Sequence, residues 1–416
     1  MILFYIIIAI LVADYALNQT LDHLNSTWRT KPIPPELAGI YDDEKYKKQQ
    51  SYSQTVSRFS LIESTVMLVA TLAFFFLDGF KFVDGIASSA TGNILLQGLL
   101  FIAILFVATD IISTPFDIYD TFVIEQKYGF NTTTRKLFIT DKLKGYLVTA
   151  IIGGGLYSLI YWFYATVGQQ FWIYAWIAVS AFSLFMSMFY STLIVPLFNK
   201  QTPLPEGELR DALNQFSQKV GFNLDGIFVI DNSKRSTRAN AYFTGLGKKK
   251  RIVLYDTLIK QMSTEEIVAV LAHEVGHYKK HHIVWSLLSS VIQTGIMLFL
   301  FSLLVSSPQL STALGIDQPK FHISMIAFAL LYNPVSVATQ LLTNIFSRRN
   351  EYQADKFSAQ HSNAQNLVSA LKKLASNNLS NLTPHPTYVW FKYSHPSLLQ
   401  RVRALNINTH CEQKKQ

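Results

Sequence analysis

The chain has 416 residues, of which 50% are apolar and only 15% are charged, whereas soluble domains carry about 25% charged residues. This composition excludes an intrinsically disordered or fibrous protein, because such chains lack apolar surface to bury. The single cysteine, Cys411, excludes an intrachain disulfide framework. The 36 Lys and Arg residues exceed the 27 Asp and Glu residues. A basic excess is typical of nucleic-acid binding or of basic cytoplasmic loops. The apolar segments favour a membrane protein with no nucleic-acid partner.

Long apolar runs predict membrane-spanning helices, because a bilayer core of about 30 Å needs about 20 mostly apolar residues in a helix. We predict seven such helices, at 2–17, 61–80, 94–112, 145–167, 172–195, 283–305 and 323–346. The first run is short and contains Asp14. We interpret it as a retained helix rather than a signal peptide, because it lacks a basic amino-terminal region.

Basic residues alternate between the segments that connect these runs. Lys and Arg are concentrated in 18–60, 113–144, 196–282 and after 346, while the other connections contain few. The positive-inside rule therefore predicts an amino terminus outside and these basic segments in the cytoplasm. The final residues CEQKKQ do not place lysines as an endoplasmic-reticulum dilysine signal would, which favours a bacterial inner membrane.

The runs divide the chain into four parts: 1–195 with five spans, 196–282 as a cytoplasmic α+β segment, 283–346 with two spans, and a cytoplasmic part at 347–416. Three short segments rich in aromatic and β-branched residues predict strands at 226–231, 240–245 and 251–256. Gly247 predicts a tight turn between the last two strands. A last amphipathic region at 364–377 closes the cytoplasmic part.

A further helix is predicted to begin after Ser263, since Ser263 and Glu266 have the spacing of a capping box. This helix contains the sequence LAHEVGH. His273 and His277 are four residues apart and project from one helical face. Two imidazoles so placed can bind one Zn²⁺, and the adjacent Glu274 can accept a proton from water. The alternative is a surface helix with incidental histidines.

A catalytic zinc ion needs a third protein ligand. The candidates are His281, His282, His361, His385, His395 and the acids after the last span. His281 and His282 are too close to His277 to reach its zinc, and we expect them to face lipid headgroups. Glu351 and Asp355 are again four apart, which suits a ligand and an acid that orients an imidazole. The alternative is an acidic, solvated helix end.

Several segments together resemble the CAAX prenyl protease 1 family, integral-membrane gluzincin zinc endopeptidases of the a-factor-converting type. The resemblance extends over nearly the whole chain and is strongest at PFDIYDTFVIEQKYGFN (115–131), IVPLFNK (194–200), STRANAYFTG (236–245), RIVLYDTL (251–258), LAHEVGH (271–277), SRRNEYQAD (347–355) and YSHPSLLQRV (393–402). It implies seven long helices that enclose a water-filled chamber, with the metal site at the cytoplasmic end. It further implies His273, His277 and Glu351 as zinc ligands and Glu274 as general base.

The same resemblance assigns roles to four other residues. Asn240 and Ala241 match a substrate-binding edge strand, His395 matches a group that stabilises the oxyanion, and Asp355 matches the acid that supports the ligands. Asn240 could instead only complete a strand end, and His395 could belong to an ordinary loop. Arg401 is an alternative oxyanion group or a partner for Asp355.

The sequence therefore predicts an all-α polytopic membrane protein with a cytoplasmic α+β metalloprotease portion and one Zn²⁺ per chain. The expected substrate is a peptide or protein, and the resemblance suggests prenylated CAAX carboxyl termini. A quality-control zinc protease with unprenylated membrane-protein substrates is one alternative, and a metal-regulated transporter or channel is another. Glu63 and Asp110 lie within spans, where they could face the chamber or form interhelical pairs. The sequence does not assign an oligomeric state.

Overall fold

The computed structural model describes residues 2–222, 224–244 and 250–413, and most of these residues are helical. The helices of the first half are α1 (Ile2–Thr27), α2 (Asp43–Phe76), α3 (Gly79–Ala90), α4 (Ile94–Tyr119), α5 (Gln126–Tyr128), α6 (Arg135–Val167), α7 (Phe171–Leu193) and α8 (Val195–Phe198). Those of the second half are α9 (Glu208–Lys219), α10 (Asp256–Gln261), α11 (Thr264–Lys279), α12 (His282–Leu304), α13 (Pro308–Thr312), α14 (Phe321–His361), α15 (Ala364–Asn377), α16 (Pro386–Lys392) and α17 (Leu398–Gln413).

The apolar helices confirm a polytopic membrane protein. Within the described residues, six helical stretches are long and apolar enough to cross a bilayer. They are Ile2–Thr30, Asp43–Phe76, Ile94–Tyr128, Arg135–Phe198, His282–Leu304 and Phe321–His361. The predicted run at 61–80 was wrong at its end, because the helix stops at Phe76. Asp78 then adopts a left-handed conformation and α3 begins.

Asp110 of α4 faces a neighbouring helix. Its carboxylate lies 3.1 Å from Lys142 Nζ of α6, and it also accepts a hydrogen bond from the Tyr146 hydroxyl. A charge in an apolar helix is costly unless it is paired or faces water. Asp110 therefore forms an interhelical ion pair, one of the two arrangements considered for it.

The chain forms a four-stranded sheet in the part of the sequence between α8 and α11. Its strands are β1 (Gln201–Pro203), β2 (Gly226–Ile230), β3 (Ala241–Thr244) and β4 (Arg251–Tyr255), in the order β1-β2-β4-β3. The central pair β2 and β4 is parallel, and both outer pairs are antiparallel. The three predicted strands are confirmed, and β3 is an edge strand. The turn predicted at Gly247 lies outside the described residues.

Two ion pairs anchor the segment that leads into β3. Arg235 forms a bidentate ion pair with Asp141 of α6, with hydrogen bonds of 2.7 and 2.9 Å. Arg238 lies 2.9 Å from Glu125, which ends a π-helical stretch at Asp120–Glu125. Arg–carboxylate pairs with two parallel hydrogen bonds are geometrically specific. These contacts fix the edge strand to α6 and to the π-helical stretch that follows α4.

The predicted capping box is present at the start of α11. Ser263 N donates to Glu266 Oε2 at 2.8 Å, and the Ser263 side chain accepts from Glu266 N. Glu266 also accepts from Ser369 at 2.6 Å and pairs with Lys373 at 2.7 Å. Burial raises the pKa of Glu266, but the hydrogen bonds and the Lys373 charge outweigh burial, so the pKa lies below its ordinary value. The amphipathic region at 364–377 forms the helix α15, which is thereby fixed to α11.

Apolar side chains bind α11 to the sheet. A cluster of buried residues joins α9, β4 and α11, and its members include Leu213, Leu254, Ile267, Leu271 and Val275. Each fully buried aliphatic side chain contributes about 1.5–3 kcal/mol. The opposite face of α11 packs against α14, and this contact forms the candidate site.

Candidate active site

The helices α11 and α14 approach closely at Gly276. A Cβ at this position would lie 3.0 Å from Ala354 Cα and 3.0 Å from Phe357 Cβ. Near the same crossing, the Ser358 hydroxyl donates to Ala269 O at 2.8 Å. The glycine of HEVGH therefore permits a close contact that brings the two histidines of α11 beside the acids of α14.

Three ligating side chains converge at this crossing. One donor atom from each of His273, His277 and Glu351 lies within 4.8 Å of the others. His273 Nε2 and His277 Nε2 are 3.1 Å apart. Glu351 Oε2 is 3.5 Å from His273 Nε2, and Glu351 Oε1 is 3.2 Å from His277 Nε2. The structure therefore brings together the three residues predicted as ligands.

The arrangement fits a metal cation. Glu351 Oε2 is buried and has no hydrogen-bond partner among the described residues. Arg401 Nη1 lies 3.3 Å from this oxygen without forming a hydrogen bond. A metal cation would supply the direct partner that the buried oxygen lacks. Two imidazole nitrogens and one carboxylate with an open fourth position are the donor set of catalytic zinc.

Asp355 orients the ring of His273. Its Oδ1 lies 2.9 Å from His273 Nδ1, and a carboxylate at that nitrogen keeps the proton on Nδ1. Arg401 of α17 donates to both oxygens of Asp355, at 2.6 and 2.9 Å. Burial lowers the pKa of Arg401, but the adjacent Asp355 charge outweighs this effect and holds the pKa above its ordinary value. Of its two predicted roles, Arg401 adopts the pairing with Asp355.

His282 differs from its prediction. It was expected to face lipid headgroups, but it is only 6% exposed and contacts His277. The cause is a change of direction between α11 and α12, where His281 adopts a left-handed conformation with φ of 58°. His281 itself is exposed. Helical spacing alone gave no signal for this contact.

His395 reaches the site from the segment before α17. Its Nε2 lies 3.3 Å from Glu351 Oε1, and 61% of its side chain is exposed. Its Nδ1 is 2.9 Å from the Ser394 hydroxyl. His395 is therefore a solvent-accessible imidazole beside the cluster of His273, His277 and Glu351.

The remaining predicted residues lie around this centre. Glu274 is half-buried on α11 between the two histidines, and its charge acts on both His277 and Arg401. Asn240 is exposed and its Oδ1 accepts from Ala241 N at 2.8 Å. Asn240 O also accepts from Tyr255 N, so Asn240 caps the start of the edge strand. The strand-end role is therefore present in the structure.

A cavity of about 790 Å³ lies beside the edge strand. It is lined by Phe182, Met186 and Tyr190 of α7 and by Tyr242 and Phe243 of β3, among others. Pockets of this size that bind ligands are typically apolar with a few polar groups. The cavity is therefore large enough for apolar groups and lies against β3.

Family comparisons identify the chain's relatives. Residues 23–200 match the model of the CAAX prenyl protease N-terminal region with five membrane helices. Residues 203–408 match peptidase family M48. The "CAAX prenyl protease 1 homolog" of Arabidopsis thaliana is 36% identical over 96% of both chains. This chain belongs to the CAAX prenyl protease 1 family.

Other members of the CAAX prenyl protease 1 family are similarly close. "CAAX prenyl protease 1" of Saccharomyces cerevisiae is 34% identical, over 90% of this chain and 88% of its own. The crystal structure of Ste24p from S. mikatae superposes with a TM-score of 0.92 at 34% identity, over 97% of this chain and 99% of that one. The predictions of family and of a membrane metalloendopeptidase are confirmed.

Replacing Gly276 by alanine is expected to separate α11 from α14. Alanine gains about 1 kcal/mol of helix propensity over glycine, but overpacking against a rigid backbone costs about 1–3 kcal/mol. We therefore expect a lower melting temperature in detergent and weaker zinc binding. Gly155→Ala is the matched control, because a Cβ there has no atom within 4 Å. A Gly276→Ala variant that melts like Gly155→Ala would show that the contact is not tight.

Proposed function

We propose that this protein is a zinc-dependent endopeptidase that cleaves near the carboxyl terminus of prenylated CAAX peptides. The observation that carries the proposal is the convergence of His273, His277 and Glu351 at the crossing of α11 and α14. The substrate class is supported by the names of the relatives, which are CAAX prenyl proteases.

The three converging side chains would hold one Zn²⁺ per chain. Asp355 would orient His273 through its contact with His273 Nδ1. Zinc, when bound, polarises the scissile carbonyl and acidifies a water molecule. Glu274 accepts the proton of the attacking water as the new C–O bond forms. It then transfers that proton to the leaving amine as the C–N bond breaks.

Two further groups would act on the substrate. His395 is exposed beside Glu351 and donates a hydrogen bond to the developing oxyanion. A peptide in extended form can add to the free edge of β3, next to Ala241. Because Asn240 Oδ1 is occupied by the Ala241 amide, Asn240 contributes its side-chain NH₂ group to a substrate carbonyl.

The membrane part would contain seven spans around a chamber. The stretch Arg135–Phe198 has 64 residues, which corresponds to about 96 Å of helix. This length is more than enough for two spans of about 30 Å each. The stretch turns at Gly168–Gln170, between α6 and α7, and we assign one span to each. In the most apolar part of each of the six stretches, only 6–22% of the residues are buried. A solid bundle would bury one face of each helix, so the low burial supports an enclosed space.

The positive-inside pattern supports a cytoplasmic active site and the four-part division at 195, 282 and 346. The cytoplasmic segment 196–282 would thus be connected to a membrane span at each end.

A cleavage assay tests the substrate class. We expect the purified protein to release three residues from a farnesylated CAAX peptide, with kcat/KM at least about 10-fold above that for the same peptide without the lipid. A 10-fold preference needs about 1.4 kcal/mol, less than two buried methylenes provide. Preference for an unprenylated, misfolded membrane protein would instead support a quality-control protease. Transport that survives Glu274→Ala would support a transporter.

A further inference from the structure

The imidazole of His282 contacts the ring nitrogen of His277 that faces away from the proposed metal site. His282 Nδ1 lies 3.1 Å from His277 Nδ1, and the rings meet edge to face with centroids 5.1 Å apart. On its other side, His282 Nε2 lies 3.1 Å from Gln353 Oε1. These contacts form a chain of three side chains, from Gln353 through His282 to His277.

The direction of the hydrogen bonds follows from the acceptor at the end of this chain. An amide oxygen only accepts, so the hydrogen between Gln353 and His282 is on His282 Nε2. A neutral imidazole has one bare nitrogen, and in His282 this is Nδ1, which accepts from His277 Nδ1–H. His277 Nε2 therefore keeps its lone pair, and it is this nitrogen that faces Glu351 and His273.

The backbone between α11 and α12 makes the contact possible. On a continuous α-helix, residue 282 would lie five positions beyond His277 and about 140° around the axis, out of reach of its ring. His281 interrupts the helix with φ of 58°, and its amide donates to Tyr278 O at 2.9 Å. Left-handed residues other than glycine are costly and are frequent at functional sites. The strained residue turns His282 back onto His277.

We propose that His282 and Gln353 are positioning residues that hold His277 in its metal-binding tautomer and ring orientation. Each metal-binding histidine then has its own support, since Asp355 serves His273 and His282 serves His277. Gln353 is two residues from Glu351 on α14, so one helix provides both the carboxylate ligand and the end of the support. This inference depends on the proposed zinc site.

Zinc affinity tests the inference without depending on catalysis. The full-length protein in detergent is titrated with a zinc chelator of known affinity, and zinc per chain is measured. Replacing a residue that supports a ligand typically weakens metal binding about 10–100-fold, and we expect this loss for His282→Leu and for Gln353→Leu. His282→Asn keeps an acceptor at the position of Nδ1 and should recover most of the affinity, which a purely space-filling role does not predict.

The matched control is His361→Leu. His361 lies on α14 six residues beyond Asp355, and its ring stacks on Phe357 and contacts Phe357 O. The His361→Leu variant should bind zinc as the wild type does. The Co²⁺ form of Gln353→Leu should show an altered visible spectrum, while its metal-free melting temperature stays unchanged. Zinc affinity within about 3-fold of wild type in both His282→Leu and Gln353→Leu would overturn the inference. The proposed function would still stand if Glu274→Gln binds zinc but cleaves no peptide.

Discussion

Replacing Glu274 by glutamine is expected to lower kcat for peptide cleavage by about 10³-fold, within the range of general acid–base catalysis. Glutamine has nearly the same shape but cannot accept the proton of the attacking water or return it to the leaving amine. Glu274 is not among the converging ligand atoms, so the variant should retain one zinc per chain. Substrate binding should also persist, so KM should change little.

The measurement combines steady-state cleavage of the peptide with elemental analysis of the same preparation. Glu265→Gln is a suitable control, because Glu265 is an exposed glutamate on the same helix. It should retain wild-type kcat. If Glu274→Gln cleaves at more than about a tenth of the wild-type rate while loaded with zinc, another group is the base.

Replacing Glu351 by alanine is expected to weaken zinc binding by about 10³-fold and to abolish cleavage at micromolar zinc. Protein zinc sites bind with about 10–16 kcal/mol in total, so one ligand of three contributes about 3–5 kcal/mol. Each 1.4 kcal/mol corresponds to a factor of ten in affinity. The loss also leaves Arg401, which lies 3.3 Å from Glu351 Oε2, without one of its two anionic partners.

Chelator competition measures this affinity, and addition of excess zinc separates a weakened site from a destroyed one. Partial recovery of activity at millimolar zinc is expected, since His273 and His277 remain. Glu265→Ala removes an exposed carboxylate from α11 and should leave zinc affinity unchanged. Retention of full zinc occupancy by Glu351→Ala after dialysis would show that the third ligand is a different residue.

The local parts of the fold could be predicted from the sequence, because their determinants are close together in the chain. The capping box of Ser263 and Glu266 begins α11 as its spacing indicated. The strands at 226–230, 241–244 and 251–255 follow short segments of β-branched and aromatic residues. The run at 61–80 was misjudged at its end because hydropathy does not detect the left-handed residue Asp78.

The candidate site was predictable only in part. His273 and His277 share a helical face, so their convergence follows from spacing. The meeting of Glu351 with both histidines depends on a helix crossing at Gly276, which periodicity does not reveal. The spacing of Glu351 and Asp355 made Glu351 one candidate among several, and the family resemblance singled it out. The contact of His282 with His277 was missed, because it needs the interruption at His281.

The central claim is that one zinc ion binds between His273 Nε2, His277 Nε2 and a Glu351 carboxylate oxygen. Anomalous diffraction from crystals of the purified protein, collected on both sides of the zinc absorption edge, locates the metal directly. A single strong anomalous peak is expected at about 2.0–2.2 Å from all three atoms, present above the edge and absent below it. A peak elsewhere in the chain, or its absence from crystals of protein that cleaves peptide, would contradict the account.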